Sequence, residues 1–144
     1  MKWVTRERPK IDRIACPWLI ARFVEAAAEF LYVPGDRVLA TARAEGGRSY
    51  DVADGDFDHV GELCTFDALM AHFHLDQPAL RRLATIVRGA DTGRPDLAPE
   101  CAGLLAVSRG LSAVYTDDHE MLRHGMVVYD ALYAWCQTVE GAAS

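Results

Sequence analysis

The sequence predicts an α+β fold, a small N-terminal β-sheet with a helix, followed by a mostly helical C-terminal half. Three observations carry this. In the first half, short β-branched and aromatic runs alternate with one clear apolar helix pattern. From about Phe66 onward, apolar residues recur almost wholly at helical spacing. The length of 144 residues, 51% of them hydrophobic, fits one domain burying roughly 70% of its unfolded surface, and excludes disordered, collagen-like and coiled-coil chains.

Lys2 to Thr5, Glu29 to Val33, Ser49 to Val52 and Phe57 to Val60 have strand composition. Between the first two, Pro17 suits a first helical position, and Trp18, Leu19, Ile20, Phe23 and Val24 supply a broad apolar face. Cys16 then falls near that helix's N-terminus. Pro34-Gly35 and Glu45-Gly46-Gly47 bracket a short helix carrying Val38, Leu39 and Ala42, and Asp54-Gly55-Asp56 reads as a loop. Phe66 to Phe73, Pro78 to Ala90, Pro99 to Leu111 and Asp117 to Val139 are the later helices, two of them opening with proline. Residues 1–139 are read as one domain and 140–144 as a frayed tail.

With 15 Lys and Arg against 21 Asp and Glu, the formal charge is −6, so direct nucleic-acid binding is not expected. No run approaches the ~18 apolar residues of a membrane span, and Met1 to Arg8 lacks a secretory apolar core. A cytoplasmic, membrane-free protein is expected, its oligomeric state open. Cys16, Cys64, Cys101 and Cys136 lie far apart and read as reduced thiols, Cys101 and Cys136 as small hydrophobes in helices.

His59, Glu62 and Cys64 fall within six residues and are each able to bind metal, although such loop residues often simply face water. His119, Leu122, Met126, Tyr129 and Tyr133 form one stripe of the last helix, so His119 is expected to face the core, either as a ligand or bonded to a carbonyl. Asp117-x-x-Glu120 mimics a capping box. Asp91 follows Leu80, Leu83 and Val87 on one face, as a ligand or as part of the turn Ala90-Asp91-Thr92-Gly93; Asp130 suits an ion pair with an arginine. Arg13 shortly before a helix N-terminus makes a receptor for a small oxyanion, with Cys16 an acidified thiol there; the alternative is an Asp12–Arg13 pair and a packed Cys16. His72, His74 and His124 are expected to face solvent.

Several blocks then occur in one order. They are Asp12-Arg13-Ile14-Ala15-Cys16-Pro17-Trp18-Leu19-Ile20, His59-x-Gly61-Glu62-x-Cys64-Thr65-Phe66, Ile86-Val87-Arg88-Gly89-Ala90-Asp91, and Asp117-Asp118-His119 with Gly125-Met126-Val127-Val128-Tyr129-Asp130-Ala131-Leu132-Tyr133-Ala134-Trp135. From about Trp3 to Cys136 the chain resembles the C-terminal domain family of the chromate-resistance protein ChrB. The resemblance implies a sensing or detoxifying role in chromate resistance. Regulator-type members carry an additional N-terminal half associated with DNA binding, to which nothing here corresponds, so a repressor role is not expected. Because His59, Glu62, Cys64, Asp91 and His119 lie inside the blocks, the resemblance favours one divalent metal, zinc or iron, on His59, Cys64 and His119, with Asp91 or Glu62 completing the shell. Arg13 and Arg88 would supply positive charge to an incoming oxyanion. The leading expectation is a metal-binding sensor or accessory domain. The alternatives are a metal- or thiol-dependent enzyme using Cys64 or Cys16, and a non-catalytic interaction module.

Overall fold

The structure, a computed structural model, describes residues 1–143. Three parallel strands, β1 (Lys2–Arg6), β2 (Glu29–Val33) and β3 (Arg48–Ser49), lie in the order β2-β1-β3. Val4 of the central strand pairs with Leu31 on one side and Ser49 on the other. Helix α1 (Ile11–Phe23) connects β1 to β2, and a 3-10 turn (Gly35–Arg37) with α2 (Val38–Glu45) connects β2 to β3. The rest is helical: α3 (Thr65–His72), α4 (Pro78–Asp91), a 3-10 turn (Pro95–Leu97), α5 (Cys101–Val114) and α6 (Asp118–Ala143). This is the α+β arrangement expected from the sequence. Among the described residues no helix is long and apolar enough to cross a membrane.

Helix α1 starts six residues before Pro17, which therefore sits in its interior. Ile11, Ile14, Ala15, Trp18 and Leu19 continue one buried stripe through the proline, and that burial outweighs the lost hydrogen bond. The carbonyl that Pro17 leaves without a helical donor is that of Arg13, and the Tyr32 hydroxyl from β2 donates to it at 2.7 Å. Tyr32→Phe is expected to cost about 1–2 kcal/mol, read as a lowered denaturation midpoint, because the carbonyl is then left bare in a crowded setting. An unchanged midpoint would show that solvent takes over the bond.

Two expected strands shrink. Only Arg48 and Ser49 pair with β1, and Phe57 to Val60 makes isolated bridges instead of a strand. The reason is local: the Asp56 carboxylate accepts the Ser49 amide at 2.9 Å, folding residues 50–56 into a compact loop. At the other end, α6 continues past Val139 to Ala143, with Glu140 paired to Arg82 at 2.8 Å; Ser144 of the expected tail lies outside the described residues.

Most of the core lies on one side of the sheet, where α1 packs against α3, α4 and α6 around Trp3, Trp18, Phe66, Leu83 and Tyr129. The other side holds a small cluster of Val4, Val38 and Ala42 under α2. Asp130 accepts both Nε and Nη2 of Arg22 at 2.9 Å and Trp18 Nε1 at 2.7 Å, which joins α6 to the C-terminal turn of α1.

Candidate metal centre

Because β1 sends the chain to β2 on one side and later to β3 on the other, a crevice opens at the carboxyl ends of β1 and β3, where ligands bind in open parallel sheets. Asp12, in the first turn of α1, and Asp51, just beyond β3, both reach it. Asp51 is held there at φ +52°, in the left-handed region. Asp91 arrives as the last residue of α4, ahead of the Gly93 turn at φ +70°. Thus Asp91 both ends its helix and joins the site.

His59 completes the group. Its Nε2 lies 3.1 Å from Asp91 Oδ2, 3.3 Å from Asp51 Oδ1 and 3.7 Å from Asp12 Oδ2. Thr65 at the N-terminus of α3 braces two of the acids, its amide donating to Asp12 Oδ2 at 2.8 Å and its hydroxyl to Asp51 Oδ1 at 3.1 Å. Arg13 Nε stands 3.5 Å from Asp51 Oδ2. The ligand atoms of Asp12, His59 and Asp91 lie within 4.8 Å of one another, as do those of Asp51, Asp58 and His59.

This centre is electrostatically incomplete. The Asp12 side chain is fully buried, and its Oδ1 has no hydrogen-bond partner among the described residues. Burial first, then the charges of Asp91 and Asp51, pushes its carboxyl well above the usual carboxylate range. Burial and Asp51 raise Asp91 too, opposed by His59, the Asp12 amide and Arg13. A cation among these oxygens would remove the mutual repulsion and satisfy Asp12 Oδ1, which no side chain among the described residues does.

Of the residues singled out in the sequence, the structure gathers His59 and Asp91. The Cys64 thiol is buried at the N-cap of α3, 3.2 Å from Asp67 Oδ2, and is outside the ligand clusters found among the described residues. Glu62 is exposed in the loop. His119 is exposed as well, with its ring edge against Tyr32 at 5.5 Å, instead of facing the core. The first turn of α6 projects beyond the packed stripe that begins at Met121 and Leu122, and Asp117 accepts the His119 amide there. Arg88 pairs with Asp67 at 2.9 Å and lines a different cavity of about 640 Å³ with Glu62, Thr92 and Arg94. Arg13 does line the cavity over the acidic group, about 310 Å³, together with Arg6, Lys10 and Arg109.

The acidified thiol expected at Cys16 is absent. Because α1 begins at Ile11, Cys16 lies inside the helix and fully buried; burial first, then Asp12 and Asp51, pushes its thiol up. Burial, Asp12 and Asp67 do the same to Cys64, the opposite of an activated nucleophile. Asp12, Asp51 and Thr65 escaped the sequence reading. Asp12 suggested only a local pair with Arg13, and nothing in the spacing of 12, 51 and 65 shows that the starts of α1 and α3 converge with the segment after β3.

Comparison with known proteins supplies the kinship. A family model described as ChrB, C-terminal domain, matches residues 3–136. Protein ChrB of Cupriavidus metallidurans is 32% identical over 133 residues, which span 92% of this chain and 40% of the length of that protein. No solved structure matches. The matched segment contains every residue of the acidic centre, and the chain belongs to the family of the ChrB C-terminal domain.

Proposed function

We propose that this chain is a cytoplasmic metal-binding sensor or accessory domain of chromate-resistance type. Kinship with ChrB supports a role related to chromate resistance. One divalent cation sits between Asp12, Asp51, His59 and Asp91, in place of the His59, Cys64 and His119 set suggested by the resemblance. The observation that carries this reading is Asp12, a buried carboxylate beside two others with one oxygen unpartnered. With one imidazole and three carboxylates, the donor set suits iron better than zinc, since the soft thiolate is missing. The cationic rim of Arg6, Lys10, Arg13 and Arg109 suits a small oxyanion such as chromate approaching the bound metal. Arg88, turned to Asp67, takes no part.

Elemental analysis of protein purified without chelator or metal-affinity resin tests the reading. One equivalent of iron or zinc per chain is expected, and Asp91→Asn is expected to weaken binding at least about a hundredfold. Excess Fe(II) or Zn(II), near a hundred times its Kd, raises stability by about 2.7 kcal/mol, visible as a higher Tm. A parent protein that neither carries metal nor gains Tm removes the proposal.

A further inference from the structure

We propose that residues 58–63 form a lid over the acidic centre, which a bound cation latches shut through His59. The inference rests on the metal reading above and adds how that site is opened and closed. The segment is a tight hairpin: the Val60 amide donates to Leu63 O at 3.1 Å and the Leu63 amide to Val60 O at 3.0 Å, across a turn in which Gly61 adopts φ +60°. Among the described residues these are the only main-chain hydrogen bonds it makes. Both ends are anchored. Phe57 is buried against Trp3 and exchanges main-chain bonds with Ser49 and Asp51, while Cys64 is buried at the cap of α3.

Between those anchors the hairpin stands away from the body. Val60 is 62% exposed and Leu63 44%, and a methyl group at Gly61 would meet nothing within 4 Å. Among the described residues its only contacts at ion-pair distance run from His59 to Asp12, Asp51 and Asp91, and they are charge–charge contacts when the imidazole is protonated. Asp58 at the base brings a further carboxylate to the group, its ligand atom within 4.8 Å of those of Asp51 and His59. His59 also forms a wall shared by the cavities of about 310 and 640 Å³, so swinging it outward joins them and exposes the acids. Three ligands on ends of helices and strands and one on a loosely held hairpin make a site that admits its ligand first and closes afterwards.

Hydrogen exchange on the whole chain, with and without Zn(II), tests the lid. With zinc bound at one equivalent, amides 59–63 are expected to exchange at least tenfold more slowly, while the loop at 53–55 is unchanged. In His59→Gln the slowing is lost. Zinc bound without slowing overturns the lid and leaves the metal site standing; equal slowing in His59→Gln shows that the imidazole is not the latch and also overturns it. Failure of both Zn(II) and Fe(II) to bind removes both readings together.

Discussion

Asp12→Asn is expected to abolish stoichiometric metal binding and at the same time to stabilise the metal-free protein at neutral pH, by on the order of 1–2 kcal/mol. The amide keeps an oxygen for the Thr65 amide, which now holds Asp12 Oδ2 at 2.8 Å. It removes a buried acid that is costly to ionise beside Asp51 and Asp91. The sign follows from protonation: Asp12 and Asp91 are both raised, so the folded state holds protons that the unfolded state has released. Stability of the metal-free parent therefore falls as pH rises from the ordinary carboxylate value near ~3.9 through the raised folded values. In Asp12→Asn that decline is shallower. Thermal melts across pH, with and without metal, check both halves; a variant less stable than the parent at pH 7 and equally responsive to metal would contradict them.

Gly89→Ala is expected to be the most damaging single methyl group in the helical half. A Cβ at this position in α4 overlaps the Cys101 sulfur and lies 2.7 Å from the Arg94 carbonyl oxygen, so α4 and the start of α5 must separate. Overpacking of this kind costs about 1–3 kcal/mol. Because Asp91 lies two residues further on at the end of α4, metal affinity drops as well, which distinguishes this variant from a remote destabilisation. Gly103→Ala in α5 is the control. Nothing lies within 4 Å of its added methyl, and a helical alanine gains about 0.5–1 kcal/mol over glycine. Denaturant titration of both, with metal titration of Gly89→Ala, decides. Equal stabilities would mean that α4 and α5 yield freely.

The elements of the helical half were legible because Leu80, Leu83 and Val87, or Leu122, Met126 and Tyr129, carry a helical period and a proline or an acidic cap marks several starts. Pro17 misled because a proline signals a helix start by default, whereas burial of the α1 stripe, with the Tyr32 hydroxyl taking up the freed Arg13 carbonyl, makes an interior proline tolerable here. The site was half visible. His59 and Asp91 stood out as a loop histidine and a carboxylate on an apolar face, whereas Asp51 sits in an ordinary acidic loop and joins them only through the crossover that places β3 beside β1. His119 shared a stripe with core residues, but a period gives direction and says nothing of where the core ends along the axis. Cys16 followed a similar limit, because position relative to a helix start decides a thiol's reactivity and α1 starts earlier than Pro17 suggests; Cys64 does cap a helix, but burial and the acids Asp12 and Asp67 push its thiol up.

The uneven division of apolar burial between the two sides of the sheet has its own consequence. Helix α2 rests on Val4 through little more than Val38 and Ala42, while α1 is fixed by the whole main core. Detachment of α2 sacrifices little hydrophobic burial, so the back of the sheet is expected to open more readily than the main core, loosening β3 and Asp51 while leaving Asp12 and the carboxylate-bearing end of α4 in register. Sequence drift in α2 is accordingly cheap, and drift in α1 is not.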